Sequence, residues 1–218
     1  MFAQIFRMQG RASALGVTLA AVAGFMVPIM AVQRAGFVNP SGWDIAEMLT
    51  MVESAGSLFP LLAIVLGLLL AVAAWSPDHR GQHVYALTLP IPRWHYVVLR
   101  FAAGTVLLIP VIAAVWVGGL VATDAATIPE GLRVYPGTIA LRFGLAALVA
   151  YAAVFALAAG TKRTAAIIFG TLVGIILVQA LLELAAIRVD VLRYTLLPLT
   201  DWPGPFEMLF GRWMLINV

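Results

Sequence analysis

The stretch Ser54-Ala-Gly-Ser-Leu-Phe-Pro-Leu-Leu-Ala-Ile-Val-Leu-Gly-Leu-Leu-Leu-Ala-Val-Ala-Ala-Trp-Ser-Pro77 decides the fold: 24 residues without a formal charge. A helix rises about 1.5 Å per residue, so about 20 apolar residues cross a hydrocarbon layer about 30 Å thick. A membrane β-strand would alternate apolar and polar positions over about ten residues, and this run does not alternate. Working outward from it, four more charge-free runs read the same way: Ala12–Gln33, Phe101–Thr123, Phe143–Thr161 and Thr164–Leu182. With their flanks, the expected spans are 12–33, 54–77, 97–123, 138–161 and 164–187.

Composition agrees with a membrane chain. Of 218 residues, 63% are hydrophobic and 11% charged, and the mean hydropathy is +1.02. Soluble domains are about 45–50% apolar and about 25% charged, so this chain has too little polar surface to cover itself in water. The first run is too long for a signal-peptide core and no small-residue cleavage site with a soluble domain follows it, so it reads as a retained helix. With no cysteine, disulfides and thiolate metal sites are excluded. The 13 Lys and Arg residues scatter among helix ends and form no basic face, so nucleic acid is not an expected partner; a positive-inside distribution accounts for the net charge of +3.

A cytoplasmic N-terminus places Arg7, Arg11, Arg80, Arg93, Arg100, Lys162 and Arg163 inside, against Arg34, Arg133, Arg142, Arg188, Arg193 and Arg212 outside. The Lys162–Arg163 hairpin and the flanking Arg7 and Arg11 are the short segments in which this rule acts most strongly. The outer connections carry turn signals at Asn39-Pro40-Ser41-Gly42, Pro129-Glu130-Gly131 and Pro136-Gly137. Residues 188–211 mix charges, three prolines and apolar patches, which reads as an outer re-entrant or interfacial region. Residues 212–218 read like the beginning of a sixth span. No repeat or low-complexity linker divides the chain, so one membrane domain, 1–218, is expected, lodged in the plasma (inner) membrane among its lipids.

Between the second and third spans, the loop 78–93 concentrates the information. Pro77 is expected to end one helix and Gly81 to redirect the chain. Gln82–Leu89 then gives about two turns of helix before Pro90 and Pro92, with Val84 and Leu87, and Tyr85 and Thr88, at i, i+3 spacing. The picture is a short rigid helix across the cytoplasmic end of a bundle.

Asp78, Arg80, Gly81, the short helix with Val84, Tyr85 and Leu87, the run Leu89-Pro90-Ile91-Pro92-Arg93, an aromatic at Tyr96 and a base at Arg100 together resemble the type-2 permeases of ATP-binding cassette exporters. The resemblance extends to the plan of helices, with this loop after span two and a short basic hairpin between spans four and five. It implies an all-α polytopic bundle of five complete spans plus a re-entrant and partial sixth. It implies that 78–93 docks on a separate nucleotide-binding ATPase subunit, which would hold ATP and Mg, and that the permease pairs with a second copy or a paralogue. Asp78 stands where the family more often has Glu, and the sixth helix is incomplete. The chain lacks Gly-x-x-x-x-Gly-Lys-Ser/Thr, so it is not itself the ATPase, and energy has to arrive by contact. The alternative to a coupling helix is an amphipathic segment lying on lipid headgroups; the alternative function is a non-transporting anchor or accessory subunit of a larger membrane complex. An intramembrane enzyme or secondary transporter fits less well, because the spans lack paired acids, His clusters or Ser/Lys sets.

Glu183 borders an apolar run, with Gln179 one turn before it, and Arg142 or Arg188 can pair with it. The group is a candidate intramembrane polar site, weighed against a structural ion pair. His79, His83 and His95 crowd the cytoplasmic loop, but with Gly81 between the first two a polar partner interface is the better reading than a metal site. Pro28, Pro60 and Pro110 read as prolines tolerated in membrane helices. Gly170-x-x-x-Gly174 marks a close helix contact within or between chains. Met26, Met30, Met48 and Met51 read as apolar filler.

Overall fold

Between Arg93 and Asp124 the residues that turn inward include Tyr96, Arg100, Gly104, Leu108, Val111, Val115, Gly119 and Ala122. Their spacing of three and four places them on one stripe of a helix. Equivalent stripes run through Ile5, Gln9, Ser13, Ala20, Gly24 and Pro28, and through Ile139, Phe143, Ala147, Tyr151 and Phe155. The residues off these stripes are equally apolar, among them Leu19, Leu68, Ile109 and Leu141. That is the surface of a helix bundle meant to face lipid on its outside.

The computed structural model of the chain describes residues 2–38, 45–80, 92–160, 162–184, 190–200 and 204–217. Its elements are α1 (Phe2–Arg34), α2 (Ile45–Gly56), α3 (Leu58–Arg80), α4 (Arg93–Asp124), β1 (Arg133–Val134), α5 (Pro136–Ala159), α6 (Lys162–Leu184), α7 (Val191–Thr200), a single turn at Glu207–Leu209 and β2 (Ile216–Asn217). The chain is mostly helical, and among the described residues four helical segments are long and apolar enough to cross a membrane: Phe2–Arg34, Ile45–Ser76, Trp94–Asp124 and Pro136–Ala159. The protein is therefore membrane-embedded.

These four segments close into a ring in which α1 packs on α4, α4 on α5, α5 on α3 and α3 on α1. Between helices that both face lipid, association depends on close packing, which small residues allow. A Cβ on Gly118 would overlap the backbone of Phe25, and one on Gly67 would lie 2.6 Å from the Tyr151 nitrogen. These contacts also fix direction. Gln9 meets Arg100 and Phe25 meets Gly118, so α1 and α4 run parallel. Gly16 meets Leu69, while Trp75, further along α3, meets Arg100 beside the earlier Gln9, so α3 runs against α1. The starts of α1 and α4 and the ends of α3 and α5 thus share one end of the ring, where the 81–91 connection leaves and returns. We call it the loop end and its opposite the strap end.

Several expectations are corrected. The helix that carries the first apolar run begins at Phe2, ahead of the run itself, and the one that carries the third begins at Arg93. At 33 and 32 residues, α1 and α4 are each about 50 Å long, about 20 Å more than a hydrocarbon core. A small second core of Ile5, Tyr96 and Ala103, with Phe6 and Leu99, holds their starts together. Pro77 does not stop its helix, which continues to Arg80. Pro136 is not a turn residue: it occupies the first turn of α5, where its fixed φ suits a helix and its missing N–H costs no bond. The 212–218 stretch does not begin a helix. Ile216–Asn217 is a strand antiparallel to Arg133–Val134, with Arg133 opposite Asn217 and Val134 opposite Ile216. The turn at Pro129–Gly131 is present, with Gly131 at φ 95°. The turn signal at 39–42 lies outside the described residues. The stretch expected as the fifth span lies on α6, whose described apolar part is Val173–Leu182. In the 188–211 region the described pieces are α7 and the turn at Glu207–Leu209.

Candidate functional site

Arg100 is fully buried. A guanidinium stays charged under ordinary conditions, so its burial has to be compensated by its surroundings. Part of the compensation is aromatic. The guanidinium carbon lies 4.6 Å over the Tyr96 ring and 5.3 Å over the Trp75 ring, and desolvated contacts of this kind contribute about 1–2 kcal/mol each. Trp75 is itself fixed: its Nε1–H donates to the Phe155 carbonyl at 3.2 Å and its ring lies 5.1 Å from that of Phe155. Phe101 stacks on Tyr151 at 5.2 Å and meets Phe155 edge-on at 5.4 Å.

The backbone of Arg100 is held as well. Gln9 Nε2 and Tyr151 Oη both donate to its carbonyl, each at 3.4 Å, and Tyr151 also reaches the Phe101 carbonyl. Ser13 donates to the Gln9 carbonyl at 2.8 Å. One residue cluster thus takes a member from every helix of the ring: Gln9 from α1, Trp75 from α3, Tyr96 and Arg100 from α4, and Tyr151 and Phe155 from α5. The cluster is a knot placed five residues before the end of α3 and two turns after the start of α4.

No family model, curated protein or solved structure matches this chain. The site has to be read from its own geometry.

Of the residues expected to contact an ATPase subunit, Asp78 and Arg80 occupy the last turn of α3 and Arg93 opens α4; their side chains are not among those described. Gly81, Val84, Tyr85, Leu87, Leu89 and Pro90 lie outside the described residues, as does His83. Tyr96 and Arg100, which carried part of the family resemblance, are joined directly. Arg100 belongs to the interior of the ring and not to the loop.

Of the expected polar group of Gln179, Glu183 and Arg142, the first and last have described partners. Gln179 Oε1 accepts from the Val191 N–H at 2.8 Å and so ties α6 to the start of α7. Arg142, in the second turn of α5, donates to the carbonyls of Phe210 and Arg212 and lies 4.5 Å over the Trp213 ring. The Glu183 side chain lies outside what is described. Among the described residues, no three His, Asp or Glu side chains gather as metal ligands.

Sequence reading missed Gln9, Ser13, Trp75, Tyr151 and Trp213. The first two were detectable in principle: Gln9 and Ser13 are a polar pair at i, i+4 spacing that leads into an apolar run. Tyr151, a phenol inside the alanine-rich run 143–161, was a second signal.

Proposed function

We propose that this chain is the membrane-spanning permease subunit of an ATP-binding cassette exporter, driven by a separate ATPase that binds the 78–93 segment. The observation that carries this reading is the Arg100 knot. It ties the helices on both sides of the loop, α3 through Trp75 and α4 through Tyr96 and Arg100, to the other two helices of the ring. A force applied at the loop is then delivered to a rigid body and is not absorbed by two loose helix ends. The chain has no phosphate-binding Gly-rich loop to generate such a force itself. The interior of the ring is filled by Leu66, Leu70, Phe143 and Tyr151, which favours a path between two copies, or a copy and a paralogue, over one through a single ring. In this reading ATP and Mg reside on the partner, α6 is the fifth crossing, and the chain lies in the plasma (inner) membrane with its N-terminus and the loop in the cytoplasm.

The test is co-purification with a P-loop ATPase followed by ATPase measurement in nanodiscs. Arg93→Glu and Gly81→Pro are expected to lower the stimulation of the ATPase at least fivefold while leaving membrane insertion intact. Unchanged stimulation in both variants, or a thiol placed at Thr88 that labels from the side opposite the N-terminus, overturns the assignment.

A further inference from the structure

At the strap end, residues 204–217 lie across the ring. Ile216–Asn217 pairs with Arg133–Val134, and the Tyr135 N–H donates to the Leu215 carbonyl at 2.9 Å. Trp213 stacks on Phe59 of α3 with ring centroids 6.0 Å apart. From α5, Arg142 grips the backbone at Phe210 and Arg212 and covers the outer face of Trp213. Trp213, Leu215 and Ile216 are 3%, 1% and 0% exposed, so this segment seals the end of the core.

Two features distinguish the seal from a permanent wall. Its β-pairing is only two residues long on each side, so one side chain, Arg142, supplies much of the remaining polar hold. The Trp213 Nε1–H is also buried with no acceptor. A buried donor that lacks a partner favours any state in which it regains water. Closure further requires Gly56, because a Cβ there would overlap the Trp213 carbonyl.

We infer that residues 204–217 form a latch released through Arg142. Closed, the latch excludes water from the strap end and ties α3 to α5; open, it exposes Phe59 and the α3 face beneath it. This conclusion rests on the strap geometry alone and is independent of the transport reading.

The natural chain has no cysteine, so Ala63→Cys supplies a single thiol. Ala63 is 0% exposed and one turn below Phe59 on the same face. Its rate of reaction with a charged methanethiosulfonate, measured on the full chain in nanodiscs, reads water access from the strap end. The reaction is expected to be slow with Arg142 in place, and at least tenfold faster when either Arg142→Met or Gly56→Ala is added, with helical circular dichroism unchanged. Adding Arg133→Cys and Asn217→Cys and oxidising them should fasten the strap covalently, and Arg142→Met should then no longer accelerate labelling until the disulfide is reduced. Fast labelling with Arg142 present overturns the latch, as do equal slow rates in the variants. If Arg142→Met does not fold, Gly56→Ala alone decides, and an unaccelerated rate there overturns it.

Discussion

The guanidinium of Arg100 sits 4.6 Å over the ring of Tyr96, one helical turn earlier on the same helix. Through Trp75 and the carbonyl contacts of Gln9 and Tyr151, this local pair becomes the point at which the four ring helices meet. Its removal should be felt across the bundle. Arg100→Met keeps an apolar stem but loses both cation–π contacts and the fit around the guanidinium, an expected cost of about 2–4 kcal/mol. Arg100→Lys should recover less than half, because an ammonium cannot stack as a planar guanidinium does. Thermal unfolding in detergent measures both, and equal stability of Arg100→Met and the natural chain would remove the knot from the account.

Gly104 faces Tyr151 so closely that an added Cβ would overlap the phenol oxygen. Gly104→Ala should therefore cost about 1–3 kcal/mol by overpacking. Tyr151→Phe alone loses two long hydrogen bonds of 3.4 Å and should cost no more than about 1 kcal/mol. Because the hydroxyl is the first atom in the way, the two changes together should cost less than their sum. A double-mutant cycle by denaturant titration checks this, and strict additivity would mean that the contact is not made.

On the strap, the Arg212–Glu53 bridge of 3.1 Å is the least important contact: the side chains are 78% and 38% exposed, and exposed pairs contribute about 0–1 kcal/mol. Glu53→Gln should leave hydrogen–deuterium exchange of 204–217 nearly unchanged. Trp213→Ala removes a buried ring and should raise that exchange strongly, with a stability loss of about 3–5 kcal/mol. The reverse order of effects would mean that charge, not burial, holds the strap.

Glycines separate the closed face of the ring from its open surroundings. A side chain at Gly118 would meet the Phe25 backbone, whereas among the described residues nothing lies within 4 Å of a Cβ at Gly170 or Gly174. Gly118→Ala is expected to lower the yield of folded protein and its melting temperature. Gly170→Ala should be neutral, or stabilising by up to about 1 kcal/mol through helix propensity. Equal effects at the two sites, compared by size-exclusion elution and thermal unfolding, would contradict the α1–α4 contact.

Much of the helical plan was legible because a membrane imposes length and apolarity on each segment separately. The run 54–77 announces a span whatever it packs against. Helix boundaries were less legible. Pro77 and Pro136 read as breakers, yet one is passed within the last turns of α3 and the other starts α5. The 212–218 stretch, with Trp, Met, Leu and Ile in succession, has the composition of a span, yet its residues 216 and 217 pair with Arg133–Val134 as a short strand.

What the amino-acid order determined alone is that this is a helical membrane protein with an information-rich loop between its second and third apolar segments, because hydrophobicity and length act locally. What the tertiary structure decided is which face of each helix turns inward, that Arg100 is interior and that Arg142 holds a strap. Helices apolar on every side carry no surface-versus-core contrast to read. Their inward faces are chosen by steric fit and by the few polar atoms that must find partners, and those partners, Gln9, Trp75 and Tyr151 around Arg100, lie far apart along the chain.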